Sequence, residues 1–209
     1  MTVKGYKALK SDWTCKGKQY RVGESYHEDE VELCKHGMHF CKNLKDIFRY
    51  YRYDLDMKLA MVEASGTVIQ SGKDSKCVTS DLKIVKELNV NSEEVQLEAI
   101  KQNVWAIKHM DNPSKRVQLE AVKQDGWVIK CIDKPSESVQ LAAVKQDGRA
   151  IRCIDKPSEK VQLEAVKQDG WAIKFISSPN NQVQVEAVKQ DGRVINFVNN
   201  LAKGFEGKK

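Results

Sequence analysis

VQLEAVKQDGWAIKFI, residues 161–176, is one copy of a block that returns every 22 residues along the second half of the chain. The copies begin at Val95, Val117, Val139, Val161 and Val183. A fixed period of this length marks a stacked-repeat protein, because one small unit cannot bury its own apolar face whereas successive units bury each other's. Three residues before each copy stands a residue of helix-capping type, Ser92, Ser114, Ser136, Ser158 and Asn180, and the last four follow a proline, so a helix starts at each. At about 100° per residue from Val95, Ala99 falls near 40°, Ile100 near 140° and Leu97 near 200°, which puts apolar groups on two opposing sides. Such a helix has a neighbour on each side. The Asp-Gly pairs at 125–126, 147–148, 169–170 and 191–192 then break the helix and turn the chain into a second, shorter one, such as WVIKCI or RAIRCI. Its apolar stripe is Ile107, Ile129, Ile151, Ile173 and Ile195. The expected architecture over residues 91–209 is an α-solenoid of five two-helix repeats, ending in the polar tail LAKGFEGKK.

Comparing the copies separates packing positions from surface positions. His109, Cys131, Cys153, Phe175 and Phe197 share one position, and a site that accepts Cys, Phe or His is used to fill volume, so the two thiols read as core residues and not as ligands. Trp105, Trp127, Arg149, Trp171 and Arg193 share another. That alternation reads either as an exposed contact column or as a lid, the indoles lying over the next repeat while arginine stems cover apolar surface. Lys108, Lys130, Arg152 and Lys174 add positive charge on the second helix, and together these nine residues are the candidate partner-binding face. The invariant Lys101, Lys123, Lys145, Lys167 and Lys189 sit near helix C-termini, where a cation complements the macrodipole. Two glutamine columns, Gln96 to Gln184 and Gln102 to Gln190, read as hydrogen-bond ladders between adjacent repeats.

Residues 1–90 differ in kind. YKAL, KQYRVG, KLAMVEASGTVI and CVTSDLKIV are short β-compatible runs between Gly, Asp, Ser and Lys clusters, with LKDIFRYYRY helical between them. The fold class is therefore α+β, a small sheet-based module followed by the solenoid. Cys34, His36, His39 and Cys41 crowd into eight positions, but C-x-H-x-x-H-x-C has no C-x-x-C half-site, so buried thiols beside a sheet are expected and no metal is assigned.

The whole chain, 41% hydrophobic and 31% charged with four prolines, has the composition of a globular protein. It shows no signal-peptide pattern and no apolar run of membrane-spanning length, so a cytoplasmic location without membrane binding is expected, with its six cysteines reduced. A net charge of +6 permits acidic-protein or nucleic-acid partners without requiring either. There is no G-x-S-x-G, P-loop or H-E-x-x-H, and no acid–base pair stands near His39. No catalytic residue and no cofactor are assigned.

GYKAL, TCKGKQYRVGESY and ELCKHGMHFCKNLKDIFRYY together resemble an N-terminal module of uncharacterised bacteriophage and prophage proteins, over roughly residues 4–88. The resemblance rests on the G-x-H-F-C element at Gly37 to Cys41 and on the helix ending in Tyr50 and Tyr51. Residues 92–198 resemble a family of short helical repeats of unknown function, with a motif close to VQLEAVKQDGWAIKFI. What this implies is a phage or mobile-element setting and a binding role, with no ligand named. The first reading is a non-catalytic scaffold that grips and inhibits a host protein through the repeat face, a defence nuclease complex among the candidates. Two alternatives stand beside it. The Lys and Trp columns suit nucleic acid, though Glu98, Glu120, Glu164 and Glu186 on the same helices oppose a broad basic face. The G-M-H-F element and its tyrosines loosely resemble nucleotide-handling folds such as ADP-ribosyltransferases. Self-association through the Trp column is left open.

Overall fold

The computed structural model describes residues 2–198, so the expected polar tail lies outside the described residues. The chain forms two compact units, Met1–Asn112 and Pro113–Lys209. In the first, strands β1 (Val3–Leu9), β4 (Ser25–His27), β5 (Met38–Cys41), β6 (Lys58–Gln70) and β7 (Lys76–Leu88) form one antiparallel sheet, and β2 (Thr14–Cys15) and β3 (Lys18–Gln19) make a small hairpin beside it. The order β7–β5–β1–β6 closes on itself, because β6 also pairs with β7 through most of its length. Among the described residues β4 is the strand of this sheet outside the closed order, and β1 and β5 meet at the one pair Tyr6–Cys41. Bulges in the β6–β7 ladder, between Met61 and Val62 and between Ser65 and Val68, supply the bend that such a small ring needs. Leu9, Met38, Phe40, Val62, Leu82 and Ile84 fill the interior.

The strands expected at 6–9, 58–69 and 77–85 are present. KQYRVG splits instead: Lys18–Gln19 close the hairpin, and the rest leads to β4. The segment MHFC, not among the β-compatible runs, is the strand β5. It joins β1 to β7, with His39 opposite Val78 and Tyr6 opposite Cys41. Helix α1 (Leu44–Tyr50) buries Leu44, Ile47 and Phe48, the i, i+3, i+4 stripe of an amphipathic helix. Helix α2 (Glu93–Gln102) and the 3₁₀ turn Val104–His109, the first copy of the repeat, belong to this unit, and α2 packs against α1.

The second unit holds four stacked copies: α3 (Lys115–Gln124), α4 (Glu137–Gln146), α5 (Glu159–Gln168) and α6 (Asn181–Gln190), each followed by a six-residue 3₁₀ helix starting at Gly126, Gly148, Gly170 and Gly192. The shorter second helices of the repeat are thus 3₁₀ helices. Ser114, Ser158 and Asn180 accept the N–H of Val117, Val161 and Val183, the capping that the sequence predicts. Ser136 instead bonds Ser138 through its hydroxyl. Helix breaking is the work of Asp and not of Gly. Asp125, Asp147, Asp169 and Asp191 take an extended backbone at the C-cap, and each carboxylate accepts the N–H two residues on, starting the 3₁₀ turn.

Val117, Ala121, Val122, Val128 and Ile129, with their counterparts in the two copies that follow, make the continuous core. The leucines Leu119, Leu141 and Leu163, expected on a second buried side, are only half-buried. Cys131 and Cys153 are likewise half-buried, and Phe175 and Phe197 are exposed, so this column rims the stack and does not fill it.

Candidate functional site

Each joint between the four stacked copies of the second unit is built by two kinds of hydrogen bond. The backbone N–H of Gly126 donates to Gln146 Oε1, that of Gly148 to Gln168 and that of Gly170 to Gln190, at 2.5–2.7 Å. Gln146, Gln168 and Gln190 therefore make the expected ladder across the stacked copies. The other column does not: Gln118, Gln140, Gln162 and Gln184 turn back to the carbonyls of Pro113, Pro135, Pro157 and Pro179 in their own copies. At the fourth helical position such an amide is close to the linker just before the N-cap, and it satisfies a carbonyl that proline leaves outside any ladder.

The Trp and Arg column supplies the second contact. Trp127 Nε1 donates to Asp147 at 2.7 Å, Trp171 Nε1 to Asp191 at 2.9 Å, and Arg149 Nε to Asp169 at 2.6 Å, each reaching the next copy. Arg193 folds back onto its own Asp191 at 2.6 Å. That carboxyl is held well below the usual carboxylate range, first by the Arg193 side chain and then by its backbone N–H and the Trp171 indole. Trp127 and Trp171 are half-buried, their indole N–H groups spent on the stack.

Above them, Lys130, Arg152 and Lys174 are exposed. Lys174 Nζ sits 4.3 Å from the Trp171 ring centre and 4.1 Å from that of Phe197, and Arg152 lies 5.7 Å from Phe175. Trp171 and Phe197 meet edge-on at 5.7 Å. The result is a row of cations over aromatic rings on the 3₁₀ side of the stack. On the helix side, Lys145 meets Glu164 and Lys189 meets Glu186, so charge is matched there. Trp105 and Lys108 belong to the first unit, where they border a cavity of about 350 Å³ with Arg49, Arg52 and His109. Arg52 Nη2 lies 2.5 Å from His109 Nε2, and burial with the nearby guanidinium lowers the His109 pKa.

The sheet module has a larger cavity, about 490 Å³, bounded by β1, the β2–β3 hairpin, the 34–37 turn, β5 and the end of α1. Residues 3–96 match a family described as a domain of unknown function (DUF7666). That match takes in the whole sheet module and the start of α2. No curated protein and no solved structure matches the chain.

Sequence reasoning singled out the Cys34–Cys41 segment for its ligand types, and the fold disperses them. Cys34 is exposed, Cys41 is buried with its thiol pushed up to about 12 by burial, and His39 Nε2 accepts the Cys34 backbone N–H at 2.9 Å. Among the described residues no group of three His, Cys, Asp or Glu is placed to hold a metal ion. Lys7 went unremarked in the sequence. It is 3% exposed and lines the cavity, and its only signal was a lysine inside the β-compatible run YKAL. No helix among the described residues is long and apolar enough to cross a membrane.

Proposed function

We propose that the stacked repeats are a non-catalytic docking scaffold for a protein partner with an acidic surface, engaged by the 3₁₀ side. The observation that carries this reading is the exposed row of Arg152 and Lys174 over aromatic rings, in a column whose aspartates are already committed to the joints. Arginine and aromatic groups dominate interface energies, and here the rings are fixed before any partner arrives. The resemblances extend the proposal to a phage- or mobile-element-encoded chain acting in the host cytosol on a host protein, a defence nuclease complex among the candidates. Such a scaffold needs no cofactor.

The test is capture of partners from nuclease-treated bacterial lysate by wild type and by an Arg152→Glu/Lys174→Glu variant. Both positions are exposed, so melting should move little while a stoichiometric partner is lost. Tryptophan replacement would be the poorer probe, since Trp127 and Trp171 hold the stack together. A nucleic-acid reading is favoured by one observation, the Lys174 ammonium between two aromatic rings. It predicts recovery of nucleic acid without nuclease treatment and binding that weakens steeply with salt.

A further inference from the structure

The cavity of the sheet module has an unusual charge balance. Lys7 is almost wholly buried, yet among the described residues its Nζ makes one hydrogen bond, to the His39 carbonyl at 2.8 Å, and otherwise faces the Tyr20 ring at 5.0 Å. No carboxylate pairs with it, although a buried ammonium is costly without a counter-charge. Lys16 and Lys76 line the same cavity, Lys76 lying 4.5 Å from the Tyr50 ring centre. Glu28 is the one carboxylate in the lining, and Lys18 neutralises it at 2.8 Å.

His39 also lines the cavity. With Nε2 accepting the Cys34 N–H, the neutral ring carries its proton on Nδ1, on the buried side of the ring toward the Gly37 backbone. The desolvated ring and the three lysines disfavour a second proton and hold its pKa at about 4. Tyr20, Phe40, Tyr50 and Tyr51 give the same space aromatic walls. A volume near 490 Å³ suits a ligand of mononucleotide size.

We propose that this cavity binds a small organic anion, a phosphoryl or carboxylate group meeting Lys7, Lys16 and Lys76 and a planar ring lying against the tyrosines. The anion supplies a contact counter-charge where Glu28 acts on Lys7 only at longer range, and the burial that disfavours a lone ammonium favours the ion pair. The site lies in the sheet module and does not depend on the docking role of the stack.

Calorimetric titration of the full chain with pyrophosphate, AMP, adenosine and benzoate tests it. Saturable binding of pyrophosphate, AMP or benzoate, weakened about ten-fold or more in a Lys16→Ser/Lys76→Ser variant whose melting is unchanged, is the expected result. Adenosine, lacking the anion, should bind far more weakly than AMP. Lys7→Met should lower anion affinity while keeping the fold, since it preserves length and removes a buried charge. A preference for pyrophosphate or AMP over benzoate assigns a phosphoryl ligand, and the reverse a carboxylate. AMP binding no tighter than pyrophosphate overturns the aromatic half of the site. Absence of saturable binding by all three anions, or affinities indifferent to the lysine variants, overturns the proposal.

Discussion

The N–H of Gly126 reaches Gln146 Oε1 at 2.6 Å, and a methyl group on Gly126 would stand 2.5 Å from the Ala143 carbonyl oxygen of the same neighbouring helix. Gly148 and Gly170 are equally confined against Ala165 and Ala187, whereas among the described residues nothing lies within 4 Å of the same direction at Gly192. Gly126→Ala and Gly148→Ala should therefore each cost about 1–3 kcal/mol through overpacking against backbone. Gly192→Ala should be near neutral. Urea denaturation of the three variants separates close approach from a loss of glycine flexibility, which would affect all three alike.

Replacing the glutamine side of the joint leaves a buried donor without an acceptor. Gln168→Met keeps the volume and strands the Gly148 N–H, so a loss of about 1–3 kcal/mol is expected. Gln162→Met, which removes only the bond to Pro157 in its own copy, should cost about 0.5–1.5 kcal/mol. A cost for Gln162→Met equal to or above that for Gln168→Met would show that the joints do not hold the stack.

Trp127→Phe removes the indole N–H that Asp147 accepts and keeps most of the ring, predicting a loss of about 1 kcal/mol. Arg193→Ala should change stability little, because the Arg193 side chain is highly exposed and its ion pair lies within one copy. Thermal melting of the two variants checks both statements.

The pKa of His39 is lowered by burial to about 4, below its ordinary value of 6.5. Between these values the unfolded chain binds the proton and the folded chain does not, so stability is complete above pH 6.5 and falls as the pH drops toward 4. A contribution of order 2–3 kcal/mol is at stake. Melting of wild type and His39→Asn across pH 4–7 should show a shallower decline in the variant, and parallel curves would assign the acid sensitivity to other groups.

The repeat register, the helix starts and the Ile column were legible because each is written several times over. What the copies could not reveal was which partner a polar residue chooses. Gln140 and Gln146 are equally invariant in type, but Gln140 bonds the linker of its own copy while Gln146 accepts from the preceding copy, a difference set by six residues, about 1.7 turns of helix. The Asp-Gly pairs were legible as helix breakers, but not that the aspartate of each pair does the breaking. In the sheet module β5 was hidden because MHFC has too few residues to show alternation and its ligand-type side chains invited a different reading. Lys7 was hidden for the opposite reason: a charged residue in a strand is usually a surface residue.

Because Gly126, Gly148 and Gly170 meet the following copy in the same way, the joint is interchangeable. A recombination event that inserts or deletes one whole block leaves every surviving joint chemically complete. Reach along the stack is therefore open to adjustment by copying, in steps of one block, without any new contact having to be invented.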